Sequence, residues 1–140
     1  MTFETSEHLD AFIARFEAGD FSPQEWTHAA HIALGSVYVS KYGDDAYYRI
    51  RAGIHHLAWH LGVISTPTRG YHETLTQFWI AIVAAHLAKG GELVDLVNSA
   101  IAAYPSTLVR DYYSFDVVNS QQARREWIAP DLQPLPLKEA

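Results

Sequence analysis

Apolar residues recur along most of this chain at intervals of three and four, the spacing that puts them on one face of a helix. Leu9, Phe12, Ile13 and Phe16 form the first such stripe, behind Thr5 or Ser6 as a cap and ahead of Gly19, which sits where a left-handed helix end belongs. Ser22-Pro23-Gln24-Glu25 reads as the start of a second helix. It has a capping serine, a proline in the first turn and a glutamate three residues after the cap. That helix is expected to run to Tyr42 and stop at Gly43. Asp44 or Asp45 caps a third, which carries Tyr47, Ile50, Ile54, Leu57 and Leu61 and ends at Gly62. Residues 63–70 contain Pro67 and Gly70 and read as a loop. A fourth helix is expected from Tyr71 to Lys89, with Leu75, Phe78, Ile82 and Val83 in one stripe, and a fifth from Glu92 to Ala103, broken before Pro105. Short helices are expected from Ser106 to Tyr113 and after Ser120, and Pro130, Pro134 and Pro136 predict an extended tail. Ser114 to Val118 is the best strand candidate, too short to make a sheet alone. The pattern predicts an all-α fold, a single helical domain built as a compact bundle of about six or seven helices with an extended Pro-containing C-terminal tail.

Composition narrows the chemistry. A chain of 140 residues that is 49% hydrophobic and 19% charged can bury a core of its own. The net charge of −6 repels a phosphate backbone, so no nucleic-acid partner is expected. The chain has no cysteine, which removes disulfides, thiol catalysis, zinc–thiolate sites and iron–sulfur clusters, so any metal must be held by nitrogen and oxygen. Residues Met1 to Glu7 have neither the basic nor the apolar region of a secretory leader. The apolar stretch Leu75 to Leu87 is short of the roughly twenty residues that span a bilayer and is interrupted by Thr76, Gln77 and His86. No membrane association and a cytoplasmic location are therefore expected. The unusual entries in the composition are eight His together with six Phe, four Trp and eight Tyr.

Two polar clusters stand out. Glu25-Trp26-Thr27-His28-Ala29-Ala30-His31 opens the second predicted helix, and on one continuous helix Glu25, His28 and His31 would share a face. Tyr71-His72-Glu73-Thr74-Leu75-Thr76 opens the fourth, directly after the loop. Helical proteins build nitrogen and oxygen metal sites from such intervals, and three His, or two His and a carboxylate, would suit Zn, Fe, Mn or Ni. The leading expectation is a pocket with His28, His31 and His72 as ligands of a divalent metal. Glu73 or Glu25 would serve as acid or base, and Trp26, Arg69, Tyr71 and Thr76 would contact a small molecule. Glu25 equally fits a capping box and nothing more. The rival expectation is a metal-free binding module in which the same His and Glu hydrogen-bond a small polar or anionic ligand beside Trp26, Trp79 and Arg69; a third is an interaction subunit or homodimer that uses its aromatic residues as an interface. His55, His56 and His60 form a second group, but no carboxylate lies within a turn and His60 falls at a helix C-terminus, which favours a solvated role. There is no second Glu-x-x-His for a di-iron bundle, and no Gly-x-Ser-x-Gly, Gly-x-Gly-x-x-Gly or Walker loop, so catalysis itself is left open.

The order Glu25-Trp26-Thr27-His28-x-Ala30-His31, Gly70-Tyr71-His72-Glu73-Thr74, Tyr113-Ser114, Ala123-Arg124, Trp127 and Pro130-Asp131-Leu132 resembles a family of small bacterial hypothetical proteins of uncharacterised function. The resemblance spans residues 15 to 135 and implies that the two His clusters belong to one signature. It implies nothing about substrate. Three-histidine helical metal bundles are an analogy only, because their ligand spacing is not reproduced here.

Overall fold

A computed structural model of the chain describes residues 1–136. Five long helices carry the structure: α1 (Ser6–Glu17), α2 (His28–Tyr42), α3 (Ala46–Leu61), α4 (Glu73–Leu87) and α5 (Leu93–Ala103). Two short ones, α6 (Phe115–Val118) and α7 (Gln121–Arg125), lead into the C-terminal segment. The described residues contain no β-strand, only an isolated bridge between Thr66 and Arg69. The fold is an all-α bundle, and no helix among the described residues is long and apolar enough to cross a membrane.

α2 is the central element. It is buried on every side over Ile32 to Tyr38, and it packs against α3, α4 and α5. Ser36, buried with it, returns its hydroxyl to the carbonyl of Ile32 at 2.7 Å, so its presence in the core leaves no donor unpaired. One core cluster joins the α1 stripe Leu9, Phe12, Ile13 and Phe16 to Leu34, Val37 and Tyr38 of α2 and to Ile50 and Leu57 of α3. A second centres on Phe78 and Ile82 of α4 and Tyr113. Asn98 of α5 holds the N-terminal strand of backbone by accepting from the Phe3 amide and donating to the Phe3 carbonyl, both at 2.8 Å.

Several element boundaries differ from the sequence expectation. Ser22 does cap Pro23-Gln24-Glu25 with a capping box, but those three residues form an isolated 3-10 turn. Trp26 breaks the backbone at φ −84°, ψ 66°, and α2 starts afresh with Thr27 as its own cap. Glu25 therefore lies on a different element from His28 and His31, and the shared face predicted for them does not form. α4 starts at Glu73 rather than Tyr71, because His72 supplies the cap. The strand candidate at 114–118 is instead Ser114 capping α6, and 106–111 is a 3-10 turn.

α1 and α3 approach so closely at Gly53 that an added Cβ would lie 2.7 Å from Cε2 of Phe16. That ring is 1% exposed and stacks on Trp26 with centroids 5.5 Å apart, so it has nowhere to move. In an open helix glycine to alanine gains about 1 kcal/mol. Here Gly53→Ala is expected to destabilise by about 1–2 kcal/mol because overpacking outweighs propensity, read as a lower urea midpoint at unchanged slope.

Candidate functional site

A cleft of about 530 Å³ opens between α2, α3 and α4, bordered by residues 63–72 and by the 106–111 turn. Its wall includes His28 and His31 from α2, His72 and Thr76 at the start of α4, and Trp26 and Tyr71 from the segments before those helices. Leu34, Ile50, Ile54, Leu75, Trp79 and Val83 are among its apolar lining. Six of the nine residues of the leading expectation thus line one cavity. Glu25, Glu73 and Arg69 do not.

Local capping explains how the imidazoles are delivered. Thr27 accepts from the Ala30 amide at 3.2 Å and starts α2 one residue before His28, so both α2 histidines lie in its first turn. His28 bonds through Nε2 to the Tyr104 carbonyl at 2.8 Å, and its ring meets Trp79 edge-on with centroids 4.6 Å apart. A carbonyl only accepts, so Nε2 carries the proton and Nδ1 is left with a lone pair. His31 bonds through Nδ1 to the Thr27 carbonyl at 2.6 Å, which leaves Nε2 as its lone pair, and its ring lies 3.7 Å from that of Trp26. Burial lowers the pKa of His31, and the neighbouring His28 lowers it further, against the opposing effect of the Thr27 bond. Neither Nδ1 of His28 nor Nε2 of His31 has a hydrogen-bond partner among the described residues.

His72 is different. Its Nδ1 accepts from the Leu75 amide at 3.1 Å as the cap of α4, and its Nε2 donates to the Val118 carbonyl at 2.8 Å. Both nitrogens are committed, and burial lowers its pKa with a smaller push from Arg124. The ring is a structural tie that happens to form cleft wall. The three imidazoles consequently make no ligand set. Among the described residues no group of three or more His, Cys, Asp or Glu is arranged to hold a metal ion. A divalent ion would find two free imidazole nitrogens here, fewer than the three protein ligands of an open catalytic site.

The two carboxylates expected as acid or base are occupied elsewhere. Glu25 accepts from the Ser22 amide at 2.9 Å and pairs with Arg15 at 2.8 Å on the surface. The Arg15 hydrogen bond first, and the Ser22 amide second, hold its pKa at about 2. Glu73 is 6% exposed and sits behind the cleft wall. Its Oε2 accepts from Tyr47 at 2.6 Å and from Gln77 at 2.7 Å, its Oε1 accepts from Tyr71 at 2.9 Å, and Arg51 lies 3.5 Å away. Burial pushes its pKa up, but the hydrogen bonds from Tyr47, Gln77 and Tyr71 with the charge of Arg51 outweigh that and leave it lowered. The same contact, added to burial, pushes Tyr47 up to about 12. Arg69 is exposed and bridges Thr66 through its backbone.

Sequence reasoning did not find the Tyr104 carbonyl or what stands behind it. Tyr104 precedes Pro105 and ends α5 at φ −122°, ψ 83°, so its carbonyl leaves the helical ladder and is free to hold His28. Its hydroxyl bonds Nδ1 of His86 at 3.0 Å, and Nε2 of His86 bonds Ser99 Oγ at 2.7 Å. Ser99 spends its own proton on the Leu96 carbonyl, so His86 donates to it through Nε2 and accepts from Tyr104. His86 is 4% exposed, and burial lowers its pKa, with Lys89 adding to that. The visible signal was the dipeptide Tyr104-Pro105 itself.

Comparison with protein-family models, with curated proteins and with solved structures finds no match to this chain.

Proposed function

We propose that this protein binds a small, largely apolar organic molecule in the cleft between α2, α3 and α4, without a metal. One observation carries the reading: two imidazole nitrogens lacking a protein partner belong to His28 and His31, wall residues of a cavity whose lining is mostly Leu, Ile, Val, Ala and aromatic side chains. An apolar concavity of this volume with a few convergent polar atoms is the usual form of a small-molecule site. His28 and His31 are the polar contacts in this reading, and Trp26, Tyr71 and Thr76 complete the wall.

The uncharged fluorophore N-phenyl-1-naphthylamine tests it. Titration is expected to give a saturable one-site rise in probe emission with quenching of the cleft tryptophans. Gly35 lines the cavity, and a Cβ there meets only Val83 at 3.6 Å, so Gly35→Leu puts a side chain into the space without breaking the helix. That variant, with an unchanged circular dichroism spectrum, is expected to abolish binding. A signal that fails to saturate, or that survives Gly35→Leu undiminished, overturns the proposal.

A further inference from the structure

The imidazole and hydroxyl groups of the cleft interior share one character. Nδ1 of His28 and Nε2 of His31 are lone pairs, because the other nitrogen of each ring donates to a backbone carbonyl. Thr76 donates its hydroxyl proton to the His72 carbonyl at 2.9 Å, so only its oxygen lone pairs remain. Tyr71 gives its proton to Glu73, and both nitrogens of His72 are used. His55 and Ser106 lie at the exposed rim, and the indole N–H groups of Trp26 and Trp79 are the remaining donors of the wall. The imidazole and hydroxyl groups of the interior therefore present acceptors only. Turning the His28 imidazole over to offer an N–H would strand the Tyr104 carbonyl, which has no other donor among the described residues.

Charge is missing as well. Among the described residues the wall contains no Asp, Glu, Lys or Arg. An ionised ligand would lose water without gaining a counter-charge, a cost that burial in an apolar site does not repay. At His31, in the first turn of α2, burial disfavours imidazolium and so disfavours creating that counter-charge on demand.

We infer that the cleft selects an uncharged aromatic molecule that donates a hydrogen bond, such as a phenol, to the lone pairs of His28 and His31. The inference rests on the cleft being a ligand site, as proposed above, and adds which chemistry it takes. The rings of Trp26 and Trp79, each set against one of the two imidazoles, give the cleft an aromatic lining beside those lone pairs, which suits an aromatic ring carrying the hydroxyl.

Three probes of one shape separate the terms: 2-naphthol, 2-methoxynaphthalene and 2-naphthoate, each titrated at pH 7.5 against tryptophan emission. The donor of 2-naphthol is expected to tighten binding about tenfold over the methyl ether, the worth of roughly one net hydrogen bond, and the carboxylate is expected to bind more weakly than either. The double variant His28→Phe, His31→Phe is expected to bind the ether and the naphthol equally. Equal affinity of wild type for naphthol and ether overturns the donor selection while leaving the cleft a binding site. Tightest binding of 2-naphthoate overturns the inference in favour of an anion site. Failure of all three together with N-phenyl-1-naphthylamine overturns the binding function itself. These wild-type comparisons decide the matter even if the double variant does not fold.

Discussion

Replacing Glu73 by alanine is expected to cost about 3–5 kcal/mol of folding stability, the range for removing one partner of a buried charged network. Its side chain accepts from Tyr47, Tyr71 and Gln77 together, and these three donors come from α3, the segment before α4, and α4. Alanine leaves all three without an acceptor and opens a void behind the cleft wall. Glu73→Gln keeps the volume and one acceptor oxygen, so it is expected to lose less, about 1–2 kcal/mol. The contribution of Arg51 is small in either case, because that side chain is half in solvent. The pH dependence follows from the lowered carboxyl pKa. A carboxylate whose folded pKa is depressed stabilises the fold fully above the unfolded value of about 4.3, and that stability is lost as pH falls through the folded value. The gap between wild type and Glu73→Gln in urea titrations is therefore expected to be constant near neutrality and to close in acid. A gap that widened on acidification would show Glu73 to be held protonated, as a reserve acid.

That result bears on how much chemistry was legible beforehand. A buried glutamate three residues after Gly70 looked like an acid for a metal centre because the sequence shows the carboxylate and hides the tyrosines. Tyr47 lies far along the chain, and nothing in its local pattern pairs it with Glu73. The same blindness affects His72. Its position before Glu73 is where a cap belongs, yet His is an uncommon cap, and the Val118 carbonyl that takes its second nitrogen is 46 residues away. Helix periodicity, by contrast, depends on near neighbours, and the stripes of α1, α3 and α4 were readable for that reason. The break at Trp26 was not. Ser22 to Glu25 satisfies every local requirement of a helix start, and only the stacking of Trp26 between Phe16 and His31 shows why the chain leaves the helix and begins again at Thr27.

Two physical roles account for many of the residues behind the family resemblance. Trp26, His28, His31, Tyr71 and His72 form cleft wall. A second set ties the C-terminal segment down: Arg124 donates to the Gly70 carbonyl at 2.9 Å, Tyr113 to the Ile128 carbonyl at 2.6 Å, and Asp131 accepts from the Ser114 amide at 2.9 Å. Pro130, Pro134 and Pro136 predicted an extended tail, and through residue 136 the chain forms no helix after α7. It is held to the body by Gln133, whose amide reaches the Asp111 carbonyl, and by Leu135, which packs against the Phe78, Ile82 and Tyr113 cluster. Side-chain bonds to its backbone do what a helix or sheet ladder would otherwise do for those amides and carbonyls.

Thr74 is the centre of that attachment, and Thr74→Val is expected to cost about 2–4 kcal/mol. The hydroxyl is fully buried, donates to the Glu126 carbonyl at 2.8 Å and accepts from the Ile128 amide at 3.1 Å. Valine fills the same space and keeps the β-branch, so packing and helix propensity barely change. What is lost is one donor and one acceptor facing two backbone groups with no substitute nearby. Thr74→Ser, which keeps the hydroxyl and removes one methyl, is expected to lose only about 0.8 kcal/mol. The order Val, then Ser, then wild type in rising stability separates polar satisfaction from volume, since a packing role would make serine the worse replacement. Hydrogen exchange localises the effect: in Thr74→Val the Ile128 amide is expected to lose its protection along with the residues from Arg124 to Leu132, while the amides of α2 keep theirs. Because Arg124 holds the Gly70 and Tyr71 carbonyls at the cleft border, release of this segment is also expected to loosen the Tyr71 side of the cavity, so that N-phenyl-1-naphthylamine binds more weakly to Thr74→Val than to Thr74→Ser.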